Sequence, residues 1–194
     1  MSRDSAVVNW PNAVSLLRLL MAPMMLWLAL EHRPLAYLAV LLFAGFTDVL
    51  DGFLARRLGQ TTELGSHLDS WGDFTIYSSM AAGAWLLWPD TVVREWLPFC
   101  VIVASFSLPV LVGLYKFGRL TSYHTWSVKL AVAITYAGYV LLFADITPWL
   151  FRVAALFCVA AAIEEILITL VMQHERADVR SLRAALRMRE HDRS

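Results

Sequence analysis

The 194 residues are 59% hydrophobic and 16% charged, with no formal net charge. That balance excludes an ordinary water-soluble globule, and no nucleic-acid partner is expected. Apolar stretches of about 20 residues, enough to cross about 30 Å of hydrocarbon, recur along almost the whole chain. The bilayer is therefore the solvent in which it is read.

The first ten residues lack a basic start leading into an apolar run and a small-residue cleavage site, so the first span is expected to stay in the protein. Val7, Val8 and Trp10 ahead of Pro11 and Asn12 suit a short interfacial segment. Six spans follow, at approximately 13–30, 34–55, 69–88, 96–116, 127–144 and 148–172. The breaks between them include Pro89 and Asp90, Pro98, Gly118, and Asp145 to Pro148. With no linker and no internal repeat, the expectation is an all-α integral membrane protein: one domain over 1–194, built as a six-helix transmembrane bundle. Residues 173–194 form a cytoplasmic basic tail. There Arg176, Arg180, Arg183 and Arg187 recur at helical spacing, with Val179, Leu182 and Leu186 on another face. Such a helix suits an anionic leaflet, or serves topology alone. Cys100 and Cys158 stand alone in apolar spans and read as packing residues.

Cytoplasmic loops are enriched in Lys and Arg, and an even span count puts both termini on one side. Thirteen such residues then fall on the terminal side, from Arg3, Arg18, Arg56 and Arg57 through Lys116, Arg119 and Lys129 to the tail. Arg33, Arg94 and Arg152 are the three left on the other. Both termini are expected in the cytoplasm. Tryptophans near the proposed surfaces, such as Trp10, Trp71, Trp85 and Trp149, agree.

The stretch from Thr47 to Phe74 breaks this apolar composition. Asp48 and Asp51 lie three apart at the end of the second span, and Asp69 and Asp73 four apart at the start of the third. On helices each pair shares a face, one turn apart. Four gathered carboxylates repel one another unless cations neutralise them, and an all-oxygen set suits Mg²⁺ or Mn²⁺. Such ions recruit phosphate oxygens, which implies a diphosphate substrate. Gly52 follows Asp51 in a helix, where glycine costs about 1 kcal/mol relative to alanine, and its bare backbone admits a ligand. Ala55 keeps the same face open, and Arg56 offers a guanidinium that can grip phosphate in two-pronged fashion.

Asp48, Asp51, Gly52, Ala55, Arg56, Gly65, Asp69 and Asp73 match DxxDGxxARx8GxxxDxxxD at every position, eight fixed positions over 26 residues. In this the chain closely resembles the CDP-alcohol phosphotransferase family. Upstream, Pro11, Asn12, Ser15 and Arg18 in PNAVSLLR are similar to the first-helix element of those enzymes. The resemblance implies a bundle of six transmembrane helices, usually a homodimer, that binds a CDP-linked lipid donor such as CDP-diacylglycerol at the cytoplasmic side. It implies two divalent ions on Asp48, Asp51, Asp69 and Asp73, with Asp73 also the general base. It further implies donor contacts from Asn12, Ser15, Gly52, Ala55, Arg56, Thr62 and Gly65. The reaction so implied is a one-step transfer of the phosphatidyl group to an alcohol, with release of CMP.

For a phosphorylated acceptor the candidate partners are Lys116, Arg119 and Lys129, near His124 and Ser127. Positive-inside topology is the alternative reading of Lys116 and Arg119. Glycerol 3-phosphate is the first expectation; inositol phosphate, serine, choline and phosphatidylglycerol stay open. Glu164 and Glu165 fall near the middle of the last span, where a charge needs neutralising, pairing or water. An intramembrane prenyltransferase and a small cation transporter are the more distant readings. A bacterial inner membrane is the expected location.

Overall fold

The computed structural model describes residues 10–58, 63–118, 123, 125–172, 179 and 181–191. Side chains at 10–15, 48–58, 63–70, 190 and 191 lie outside that description, as do Thr62, Arg119 and His124 entirely. All regular structure among the described residues is helical. The chain divides into two compact units, residues 1–89 and 90–194.

The first unit holds α1 (Trp10–Leu30), α2 (Pro34–Leu58) and α3 (Glu63–Leu87), with α1 packed against both others. The α1–α2 turn closes through the amides of His32 and Arg33 on the carbonyls of Ala29 and Leu28, and Pro34 opens α2, where its missing N–H is harmless. Each helix buries one stripe at three- and four-residue spacing. These are Ala22, Met25 and Ala29 on α1, Tyr37, Leu41 and Ala44 on α2, and Ile76, Met80 and Ala84 on α3. Tyr37 is fully buried, donates to the Ser79 carbonyl at 2.9 Å and sets its ring edge-on to Trp88. That ring fits because residue 83 is glycine: a Cβ there would lie 2.4 Å from the Tyr37 hydroxyl.

The second unit runs α4 (Pro89–Arg94), α5 (Trp96–Phe117), α6 (Trp126–Phe143), α7 (Trp149–Val171) and α8 (Leu182–His191). Its centre is α7, which packs on α5, α6 and α8. The buried stripe of α7 is mostly small (Ala154, Ala155, Cys158, Ala161, Ala162), and small residues let helix backbones approach in the absence of a hydrophobic drive between membrane helices. Gly138 of α6 meets the backbone of Phe151 directly. At one end of the unit, Arg152 grips Glu95 with two hydrogen bonds, Nε to Oε2 at 2.8 Å and one terminal nitrogen to Oε1 at 2.7 Å, while its guanidinium lies over Trp149.

Helices α1, α2, α3, α5, α6 and α7 each overlay, among the described residues, one of the apolar stretches read from the sequence. Among the described residues, α5, α6 and α7 are long and apolar enough to cross a membrane. The described parts of α1 and α2 contribute shorter apolar stretches, Leu16–Leu30 and Pro34–Thr47. Exposed Leu20, Trp27, Leu111, Leu156 and Leu170 are side chains that a lipid solvent accommodates and water does not.

Candidate active site

The buried stripes of the first unit lead to the site. On α1 the stripe of Ala29, Met25 and Ala22 continues in the same register to Arg18, then to the positions of Ser15 and Asn12. On α2 the register of Tyr37, Leu41 and Ala44 continues to the positions of Asp48, Asp51 and Ala55. On α3 the register of Ala84, Met80 and Ile76 runs back to Asp73 and the position of Asp69. On each helix the register of the buried stripe thus passes from apolar to polar residue types.

The three registers change at the same end. Arg18 and Ala22 of α1 meet Asp73 and Ser79 of α3 in the same order, so α1 and α3 run parallel; the tight turn after α1 reverses α2, which therefore runs antiparallel to α3 and meets it at Tyr37 and Ser79. At about 1.5 Å per residue, the backbone positions 48 and 51 lie roughly 16 and 21 Å from that contact, and 69 and 73 roughly 15 and 9 Å. The four aspartate backbone positions therefore span roughly 12 Å along the helix axes.

The described joint at this end is a pair the sequence did not announce. Arg18 donates to Asp73 Oδ1 at 3.1 Å; the arginine side chain is 2% exposed and the aspartate 30%. The arginine stem passes Gly72, where an added Cβ would stand 3.5 Å from Arg18 Cδ. Ser79 holds the next level, its hydroxyl facing the Ala22 carbonyl at 3.4 Å. In the sequence Arg18 counted as an inward-side cation and stood in the PNAVSLLR element, with no partner assigned to it. The signal available was its register with Ser15 and Asn12 on an otherwise apolar helix.

Among the described residues no three His, Cys, Asp or Glu side chains gather as a metal site. Those of Asp48, Asp51 and Asp69 are outside the description, as is that of Arg56. The chemistry of the donor set fits a hard divalent ion: carboxylate oxygens alone, with Asp73 partly open and already facing a cation.

In the second unit the acceptor candidates separate. Lys116 Nζ donates to the carbonyls of Thr169, Leu170 and Met172 at 2.7–2.9 Å, closing the last turn of α7. Lys129 is exposed on α6, its ammonium 5.5 Å from the centre of the Trp126 ring. Thr125 caps α6, its hydroxyl accepting from the Val128 amide. The two glutamates of α7 find backbone and hydroxyl partners. Glu164 accepts from the Leu182 amide at the start of α8 and from the Ser127 hydroxyl, and Glu165 faces the Tyr123 amide at 3.4 Å. Below them Tyr123, Ile168, Met172, Val179 and Ala185 form a buried cluster joined by Leu182 and Met188. Much of the apolar side of α8 thus packs within its own unit. Arg183, Leu186 and Arg187 remain exposed.

Residues 8–171 match the CDP-alcohol phosphatidyltransferase family. The chain is 42% identical over 76 residues to a CDP-diacylglycerol–glycerol-3-phosphate 3-phosphatidyltransferase of Aquifex aeolicus, covering 38% of this chain and 43% of that one. It is 33% identical over 159 residues to a CMP-forming cardiolipin synthase of Streptomyces coelicolor, covering 78% and 73% of the two chains. A Cereibacter sphaeroides protein with the same name as the Aquifex one is 34% identical over 147 residues, 68% of this chain and 65% of its own. No solved structure matches.

Proposed function

The chain belongs to the CDP-alcohol phosphatidyltransferase family, and on that premise we propose that it transfers the phosphatidyl group of CDP-diacylglycerol to an alcohol and releases CMP. The observation that carries the proposal is the buried Arg18 bonded to Asp73, at the end of the first unit where the helix registers pass from apolar to polar residue types. Four aspartates at neighbouring levels of one helix group are unfavourable unless cations and a ligand neutralise them.

Asp48, Asp51, Asp69 and Asp73 would hold Mg²⁺ or Mn²⁺, two ions in all. When bound, the ions supply charge neutralisation at the donor diphosphate and at the leaving oxygen. Asp73 takes the proton of the acceptor hydroxyl. The freed oxygen attacks the phosphorus that bears the lipid, and the bond from that phosphorus to the oxygen of CMP breaks. Holding both substrates in line supplies much of the acceleration. Gly52 and Ala55 leave space for the nucleotide, and Arg56 grips phosphate. Asn12, Ser15, Thr62 and Gly65 are proposed to complete the donor seat.

Glycerol 3-phosphate is the acceptor we favour, on the names of the Aquifex and Cereibacter relatives. Lys129 and Arg119 are its proposed phosphate partners; Lys116 is assigned to the end of α7, where its bonds already lie. The Streptomyces relative, whose match is the longest of the three described, favours phosphatidylglycerol as the second reading. We further propose one domain of six spans in a bacterial inner membrane, working as a homodimer, with both termini and the site cytoplasmic. The family match running through both units supports the single domain.

The test is to reconstitute the purified chain with CDP-diacylglycerol and Mg²⁺, offer glycerol 3-phosphate, phosphatidylglycerol, inositol phosphate, serine and choline separately, and identify each lipid product by mass spectrometry. Phosphatidylglycerophosphate with stoichiometric CMP is the expected result. Cardiolipin would select the second reading, and no CMP with any alcohol would remove both.

A further inference from the structure

We infer that Arg18 is a positioning residue for the transfer: it fixes the Asp73 carboxylate in the orientation from which that group receives the acceptor proton. The inference rests on the base role proposed for Asp73. Its evidence is the pair itself.

Arg18 stands in a helix whose described neighbours Leu16, Leu17, Leu19 and Leu20 are all apolar, and it is buried to 2% exposure. A guanidinium removed from water carries a large desolvation penalty, and as a strut between α1 and α3 an apolar pair of similar volume would serve at least as well. A charge kept at such a place has its reason in what it touches. Among what it touches is Asp73 Oδ1, at 3.1 Å, while the carboxylate keeps 30% of its surface open. Arginine suits this task because its guanidinium is planar and always protonated, so its well-aimed bond to Oδ1 fixes a direction.

The neighbouring backbone is arranged to match. The arginine stem runs along α3 beside Gly72, the residue immediately before Asp73, with Cδ 3.5 Å and one terminal nitrogen 3.8 Å from where a Cβ would stand. A methyl group there makes ordinary contact, whereas a longer side chain meets the guanidinium. Gly72 therefore gives a second handle on Arg18 that leaves both charges in the sequence.

The experiment compares R18Q, R18K and Gly72→Leu with wild type in nanodiscs, measuring kcat and the KM of CDP-diacylglycerol per folded molecule. Expected are a fall in kcat of about 100-fold for R18Q with the donor KM unchanged within about threefold, partial recovery in R18K, and a loss in Gly72→Leu that follows R18Q. A tenfold rise in donor KM at unchanged kcat would make Arg18 a donor contact and overturn the inference. Unchanged turnover per folded molecule would reduce Arg18 to a strut and overturn it equally. Should R18Q not fold, R18K and Gly72→Leu carry the same comparison.

Thermal melts of R18Q, D73N and the double variant report the pair without any turnover. The double variant is expected to melt no lower than the worse single one, and fully additive losses would refute the coupling. A wild-type protein that forms no CMP yet gives the non-additive melt would instead sink the reaction reading and leave the pair standing.

Discussion

Gly138→Ala is expected to open the α6–α7 contact that organises the second unit. A Cβ at that position would lie 2.8 Å from the Phe151 nitrogen, 2.9 Å from its Cα and 3.0 Å from the Leu150 carbonyl carbon. Comfortable contact between carbons begins near 3.5 Å, so the shortfall is roughly 0.5–0.7 Å. All three atoms are backbone, which cannot rotate aside as a side chain can. The helices must separate, and a gap of about that size forfeits a quarter or more of each pairwise attraction along the seam. Overpacking of this kind costs about 1–3 kcal/mol, and with rigid atoms on both sides we expect about 2 kcal/mol, close to 30-fold in the folded ratio. The assay is unfolding of the full chain in mixed micelles by rising SDS, followed by tryptophan fluorescence. Phe151→Ala should give no rescue, because the clash is not with the ring. A Gly138→Ala protein within about 0.5 kcal/mol of wild type, or rescued by Phe151→Ala, would refute the reasoning.

D73N is expected to insert and fold yet release CMP at less than about a hundredth of the wild-type rate; ordinary turnover in a radiolabelled-donor assay would remove Asp73 from the base role. Excess chelator should abolish CMP release and added Mg²⁺ or Mn²⁺ restore it, so full activity in the chelator would contradict the aspartate seat. Lys116→Met should lower stability by about 1–3 kcal/mol by stripping the carbonyls at the end of α7, while the KM for glycerol 3-phosphate stays put. A tenfold rise in that KM would return Lys116 to the acceptor. Glu95 gives a pH prediction: its carboxyl lies below the usual 4.5, chiefly through the hydrogen bond from Arg152 and against the effect of burial. A depressed folded value means stability that is present above about 4.5 and lost as pH falls through the lower folded value. The wild-type Tm should therefore drop in acid, and E95Q should show less of that drop; identical acid profiles would contradict the pair.

The helices were legible because length and hydrophobicity decide them locally. The expected span at 34–55 lies within α2, and that at 148–172 overlays α7 to within a residue at each end. The aspartate register was legible for the same reason, since three- and four-residue spacing is a property of one helix. What escaped was every pairing across helices. Arg18 and Asp73 are 55 residues apart, and although Arg18 shares a register with Ser15 and Asn12, nothing local names Asp73 as its partner. Glu164 and Glu165 were visible as anomalies in an apolar span, but their partners include backbone amides at Leu182 and Tyr123, groups that every residue but proline carries and no sequence pattern marks. Lys116 read in the sequence as an acceptor candidate or a topology charge, and in the fold it binds carbonyls that neither reading foresaw.

Lys116 also bears on the order in which the chain is made. Its three acceptors lie 53 to 56 residues further along, at the very end of α7. During synthesis α5 leaves the ribosome with that ammonium unable to reach them, and the α6–α7 hairpin must be delivered first. Glu164 waits in the same way for the Leu182 amide. The second unit therefore closes from its end backwards, and a stalled chain that stops before Met172 should be cleared by quality-control proteases as an open intermediate.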